Sequence, residues 1–91
     1  MPAIHVEIVG QVQGVGFRWF VREQARGLRL GGWVRNRADG AVEVAAHGEA
    51  GALEALRAAV QSGPLGAHVS AVRDLDPFDE SDLPEEFTVV R

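Results

Sequence analysis

A short segment near the start of the chain combines two glycines with an arginine, in the order Gln13, Gly14, Val15, Gly16, Phe17 and Arg18. Glycines at this spacing let backbone N–H groups turn inward without a Cβ in the way, which suits an anion. The planar guanidinium of Arg18 can hold two phosphate oxygens at once. We interpret the segment as a candidate phosphate cradle, although a pair of glycines is also common in plain tight turns.

The element that follows this segment favours an anion as well. Apolar residues recur at helical spacing from Phe17 onwards, at positions 17, 20, 21, 25 and 28. The first turn of a helix leaves N–H groups unpaired and carries a partial charge of about +0.5. Arg18 falls in that turn, where its own charge is locally unfavourable, so a bound anion would compensate both positive charges.

Asn36, the only asparagine in the chain, is the second candidate. It stands near the end of a predicted strand, shortly before Asp39-Gly40, a dipeptide typical of tight hairpin turns. An asparagine at this place can stabilise the turn through its amide. It can also orient a water molecule, because the amide donates and accepts hydrogen bonds without titrating. Spacing alone favours the turn.

The elements that must position these residues are predicted in the order β-α-β-β-α-β. Period-two alternation predicts strands at residues 4–9, 33–36, 42–46 and, less clearly, 69–74, with a short extra strand at 87–90. Helical spacing predicts helices that end at the stop signals Gly31-Gly32 and Gly63-Pro64. The order is typical of an α+β, ferredoxin-like α/β sandwich, an antiparallel sheet with two helices on one face. We expect one domain over residues 1–91.

This topology predicts which segments meet. A crossover helix joins the first two strands, so they run parallel, with the third strand between them and antiparallel to both. Their C-terminal ends then lie along one edge of the sheet. We therefore expect the segment 11–18, which follows the first strand, to lie near Asn36 at the end of the second.

Composition excludes several other kinds of chemistry. The chain has no Cys, and all nine of its cationic side chains are Arg, so a thiol nucleophile, a disulfide framework and a Schiff-base lysine are excluded. The net charge of -4 argues against nonspecific binding to nucleic acid. No apolar run approaches the roughly 20 residues that cross a bilayer, and the N-terminus lacks the features of an export signal. We expect a cytoplasmic monomer.

The remaining candidate residues have structural interpretations. The three histidines, His5, His47 and His68, lack metal-binding spacing, and no serine stands in a G-x-S-x-G elbow. The aromatic residues Phe17, Trp19, Phe20 and Trp33 are predicted to lie in the core or at its edge. The crowded acids of residues 74–86 are interpreted as a solvated, mobile loop rather than a cation site.

Two longer motifs resemble the signatures of the acylphosphatase family: residues 10–18, GQVQGVGFR, and residues 32–43, GWVRNRADGAVE. The resemblance extends through Gly27-Leu28 and Gly63-Pro64 with Ala67 and Val69, and so covers most of the chain. It implies a ferredoxin-like fold and hydrolysis of the carboxyl-phosphate bond of an acyl phosphate, without a metal or organic cofactor. On matching positions, Arg18 would bind the phosphate, the backbone of residues 13–18 would cradle it, and Asn36 would position the attacking water.

Two other functions were weighed against this one. An RNA-recognition module shares the topology, but it needs aromatic side chains on its central strands, and the first and third strands here offer none. A non-catalytic, phosphate-binding regulatory domain would keep the cradle and Arg18 without turnover. Sequence excludes this alternative less firmly, because binding and catalysis would use the same residues.

Overall fold

Five strands and two α-helices follow the predicted order in the computed structural model, which describes residues 2–91. The strands are β1 (Ala3–Gln11), β2 (Gly31–Asn36), β3 (Val42–His47), β4 (His68–Asp74) and β5 (Thr88–Val90). The helices are α1 (Phe17–Gly27) and α2 (Ala50–Ser62), and a short 3-10 helix covers Glu80–Asp82. The ferredoxin-like arrangement is confirmed, with β5 added to it. Neither α-helix in this described part of the chain is long and apolar enough to cross a bilayer.

The order of the strands across the sheet is β4-β1-β3-β2-β5. β3 pairs antiparallel with both neighbours, so that Val44 lies opposite Val6 of β1 and Val34 of β2. β1 and β2 consequently run parallel and end at the same edge, as the topology predicted. The prediction of an antiparallel sheet is correct for β1 to β4. It does not extend to β5, which pairs parallel with β2 and makes the complete sheet mixed.

Both helices bury their apolar stripes against one face of the sheet. Alternate residues of the central strands point to this face, because successive strand side chains point to opposite sides. The buried cluster includes Val6, Ile8, Phe17, Val21, Ala25, Val34, Val44, Leu53, Leu56 and Val60. Burial of each larger side chain contributes about 1.5–3 kcal/mol. Phe17, the first residue of α1, is among them, so the core holds the N-terminus of α1 against the sheet.

Residues 75–87 cross the other face of the sheet and are named the strap. They must do so because they join β4 and β5, which lie at opposite edges, about 19 Å apart at the usual strand spacing. The Phe78 ring packs against the rings of His5 and Trp33, and Leu83 is buried. Most acidic side chains of the strap are exposed, as predicted. The segment is not the free loop that we predicted, because its apolar residues anchor it.

Gly31 and Gly32 lie inside β2, so the prediction that they end α1 is wrong. The helix is capped earlier by Leu28, whose N–H bonds to the Gln24 carbonyl, and Arg29 follows with a positive φ of 59°. Gly32 has a φ of 128°, and a Cβ built on it would lie 2.0 Å from the Ala45 carbonyl oxygen. The close approach of β2 to β3 therefore requires a glycine at this position.

Gly32→Ala is expected to lower the free energy of unfolding by about 2–4 kcal/mol, since the new Cβ collides with backbone and the positive φ is strained. Gly51→Ala is the matched control. No atom lies within 4 Å of a Cβ at that position of α2, so this change should be neutral or stabilise by up to about 1 kcal/mol. Urea unfolding followed by tryptophan fluorescence measures both. Equal stabilities for the two variants would contradict the close-approach argument.

Candidate active site

The turn between β1 and α1 brings the N-terminus of α1 to the edge where β1 and β2 end. Gly16 is the N-cap residue, with a left-handed φ of 77° that suits a residue without a Cβ. Among residues 2–91, no side chain caps α1, and its first turn contains no acidic residue. The N–H groups and the positive partial charge of this turn are therefore left for an external anion.

A cavity of about 170 Å³ lies at this helix end. Five of the residues predicted for the site line it, and they come from the turn, from α1 and from β2: Gly14, Gly16, Phe17, Arg18 and Asn36. The fold thus brings Arg18 and Asn36 to one cavity, as the parallel course of β1 and β2 predicted. The arrangement combines a guanidinium, a helix N-terminus and a neutral amide around a space open to a small anion.

Gln13 and Val15 do not line this cavity. The Gln13 side chain donates from Nε2 to the carbonyl oxygens of Arg37 and Ala41, at 2.8 and 2.9 Å. It therefore ties the turn after β1 to the hairpin between β2 and β3. Val15 packs against the core. The inclusion of these two residues in the cradle stays a prediction, and it concerns their backbone rather than their side chains.

The Arg18 guanidinium faces the cavity with little competition from the protein. Its Nη1 donates to the Val90 carbonyl at 3.5 Å, which is at the weak limit for a hydrogen bond. Arg18 forms no ion pair with a carboxylate in the part of the chain that the structure describes. Most of the five N–H donors of the guanidinium are accordingly available to an incoming anion.

Asn36 is the last residue of β2, and the hairpin turn that follows does not use its amide. The turn is closed by other groups: the Asp39 carboxylate accepts from the Ala41 N–H at 3.0 Å, and the Arg37 N–H donates to the Ala41 carbonyl at 2.8 Å. The Asn36 side chain is exposed and forms no hydrogen bond with any of residues 2–91. The turn-forming interpretation of Asn36 is therefore wrong, and its amide is free to bind a solvent molecule.

A wider groove of about 720 Å³ lies on the strap side of Asn36, which lines both spaces. It is larger than the cradle cavity, but two of its three arginines, Arg35 and Arg37, already have carboxylate partners. Arg35 donates to Glu43 at 2.9 Å, and Arg37 lies 3.2 Å from both Glu7 and Asp39. Arg35 and Arg37 are therefore less available to an anion than Arg18 is. No group of three or more His, Asp or Glu side chains within residues 2–91 could hold a metal ion.

Trp19 lines the cradle cavity, which its sequence position did not lead us to predict. It was predicted to lie in the core or at its edge, but 61% of its surface is exposed and it lines the cradle cavity. Helical spacing contains the signal, because Trp19 stands two residues after the buried Phe17 and thus about 200° around the helix. Val12, which is buried at the start of the turn, also lines the cavity and was not predicted to do so.

Known proteins resemble this chain in both sequence and fold. The family model described as Acylphosphatase matches residues 4–89. The chain belongs to the acylphosphatase family. A curated acylphosphatase of Salinibacter ruber is 49% identical over 88 residues, which cover 97% of this chain and 92% of the relative.

Solved structures agree with this membership. The crystal structure of acylphosphatase from Bacillus subtilis superposes with a TM-score of 0.87 at 35% identity, covering 100% of both chains. An acylphosphatase structure from Coxiella burnetii gives a TM-score of 0.82 at 40% identity, covering 97% of this chain and 90% of the other. The likeness to acylphosphatases thus spans the sheet, both helices and the turn that forms the cradle.

Next to the cradle, this acylphosphatase-family chain holds a buried charge network on the strap side of its sheet. The Glu43 carboxylate of β3 is 5% exposed and accepts from His5 Nε2 at 2.5 Å and from Arg35 Nε at 2.9 Å. His5 Nδ1 lies 2.6 Å from the Asp76 carbonyl oxygen of the strap.

The environment of Glu43 sets its protonation. Burial raises the pKa of this carboxyl, but the hydrogen bonds and positive charges of His5 and Arg35 oppose burial and bring the pKa below its usual value of 4.5. A carboxyl with a lowered folded-state pKa stabilises the fold above its unfolded pKa. That stability is lost as the pH falls through the folded-state pKa.

Glu43→Gln should therefore make the free energy of unfolding less dependent on pH in the acid range. It should also lower the free energy of unfolding at neutral pH by about 1–3 kcal/mol. Chemical unfolding at a series of pH values below and above 4.5 measures this change. Glu54→Gln, on the exposed side of α2, is the matched control and should follow the wild-type profile. If the free energy of unfolding of Glu43→Gln fell with acidic pH as it does in the wild type, protonation of Glu43 would not be coupled to folding.

Proposed function

We propose that this protein hydrolyses the carboxyl-phosphate bond of acyl phosphates, releasing a carboxylate and inorganic phosphate without a metal ion. The observation that carries the proposal is the cradle cavity, in which an unpaired guanidinium, an uncapped helix N-terminus and a free amide meet. Membership of the acylphosphatase family and the similarity to curated acylphosphatases support it. We further propose a cytoplasmic monomer that binds no nucleic acid.

In this proposal the phosphoryl group of the substrate occupies the cradle. Arg18 and the backbone N–H groups of residues 13–18 contact its three non-bridging oxygens. Phosphoryl transfer through a loose transition state depends mainly on positioning and on stabilisation of charge, which are what these groups supply. Their positive charge is in place before the substrate arrives, because Gly16 and the buried Phe17 hold the helix end.

Asn36 supplies the second requirement, an oriented nucleophile. Its amide accepts a hydrogen bond from a water molecule that approaches phosphorus opposite the acyl oxygen. The water oxygen forms a bond to phosphorus as the bond between phosphorus and the acyl oxygen breaks, and the bonding pair leaves with the carboxylate. The carboxylate is a weakly basic leaving group, so no general acid is needed. Asn36 does not titrate, and we propose that a phosphate oxygen of the substrate accepts the proton of the water.

A benzoyl phosphate assay with a chelator tests the proposed function. Equal formation of benzoate and phosphate in excess chelator is expected from the wild-type chain. Phosphate binding that raises the melting temperature, with no turnover above the uncatalysed rate, would instead identify a non-catalytic anion-binding domain. Turnover that chelator abolishes and a divalent metal restores would overturn the metal-independent mechanism.

Asn36→Ala should lower kcat by about 100- to 1000-fold, the loss typical of one oriented polar group in a transition state. The affinity for inorganic phosphate should change little, because Asn36 contacts the water rather than the phosphoryl group. Steady-state kinetics and competitive inhibition by phosphate measure the two quantities separately. A variant with near-normal kcat would remove Asn36 from the mechanism.

Arg18→Ala should weaken phosphate binding and also lower the rate of turnover, because Arg18 contacts the phosphoryl group both in the bound substrate and in the transition state. Loss of a charged hydrogen-bond donor predicts about a 10- to 100-fold weaker inhibition by phosphate, together with a lower kcat. Arg18→Lys is the matched control, because it keeps the positive charge but loses the bidentate geometry of the guanidinium. Its inhibition constant for phosphate should lie between those of the wild type and Arg18→Ala. If Arg18→Ala bound phosphate as tightly as the wild type, the proposed role of Arg18 in phosphate binding would be refuted.

A further inference from the structure

Trp19 is a large apolar side chain placed at the mouth of the cradle. It is 61% exposed, although its neighbour Phe17 is 2% exposed, and it lines the same cavity as Arg18 and Asn36. We infer that the Trp19 indole contacts the acyl group of the substrate and gives the enzyme a preference for aromatic acyl phosphates. The inference rests on the proposed function and adds a substrate class and a specificity-determining residue to it.

In-line displacement indicates where the acyl group lies. The attacking water and the departing acyl oxygen stand on opposite sides of phosphorus, so the acyl group points away from the water held by Asn36. Asn36 lines the cavity from β2, whereas Trp19 lines it from α1. An acyl group that leaves the cradle on the helix side therefore meets the indole of Trp19.

The character of the cavity wall narrows the class of acyl group. Two other apolar side chains, those of Val12 and Phe17, line the cavity, and each is at most 2% exposed because the core covers it. Among the lining residues, Trp19 is thus the one whose apolar surface is open to a ligand. A flat aromatic acyl group can pack on the indole over a whole ring, whereas a methyl group covers only a small part of it.

The ring is also held in place before substrate binds. The Arg22 guanidinium lies 4.7 Å from the centroid of the Trp19 ring, one helical turn further along α1. Arg22 is in turn bonded to Glu23 at 2.6 Å. A cation–π contact of this kind restrains the indole, which lowers the entropy lost when an acyl group packs against it.

Kinetics with two substrates test the inference. Benzoyl phosphate carries an aromatic acyl group, and acetyl phosphate carries a methyl group with the same reacting bond. Trp19→Ala should raise KM for benzoyl phosphate about three- to tenfold, with kcat nearly unchanged and KM for acetyl phosphate changed less than about twofold. Trp19→Phe, which keeps an aromatic face, should restore most of the affinity. Leu65→Ala removes a fully exposed apolar side chain that does not line the cradle, and it should behave as wild type.

Inhibition provides a readout that does not depend on turnover. Phenylphosphonate should bind Trp19→Ala about three- to tenfold more weakly than wild type, whereas methylphosphonate should bind both proteins equally. Equal effects on the aromatic and methyl compounds would overturn the role of Trp19, while leaving acyl phosphate hydrolysis intact. A wild-type protein that hydrolyses neither substrate would overturn the proposed function itself, so the two failures are distinguishable.

Discussion

The position of β3 between β1 and β2 is the constraint on which the site depends. Because β3 is antiparallel to both β1 and β2, these two strands run parallel and their C-terminal ends lie at the same side of the sheet. The cradle follows β1 and Asn36 ends β2, so residues from separate parts of the chain share a small cavity. The Gln13 side chain reinforces this arrangement by bonding to two carbonyl groups of the hairpin that connects β2 with β3.

The N-terminus of α1 carries positive charge that no nearby carboxylate among residues 2–91 compensates. The first turn has no acidic residue, its N-cap is a glycine, and Arg18 has only a weak contact with the Val90 carbonyl. By contrast, Arg35 and Arg37 of the neighbouring groove are paired with carboxylates. The folded protein thus neutralises these two cations and leaves Arg18, beside the N-terminus of α1, without a carboxylate partner among residues 2–91.

Most elements could be predicted from hydrophobic periodicity, because the core-facing residues of both helices and of the longer strands recur with the period of their element, although the pattern is weaker in β4. Two of the errors share one cause, which is contact with distant residues. Gly31-Gly32 read as a helix stop because their closeness to β3 has no local signal. The acidic strap read as a free loop because Phe78 and Leu83 find their partners only after the sheet has formed.

The sequence by itself determined the order of elements, the candidate cradle and the pair Arg18 and Asn36, because periodicity and motif spacing are local properties of the chain. The tertiary structure decided what surrounds that pair. It freed the Asn36 amide by closing the hairpin with Asp39, and it placed Trp19 at the cavity that Asn36 also lines. Exposure and hydrogen-bond partners depend on which segments pack together, and neighbours along the chain do not specify them.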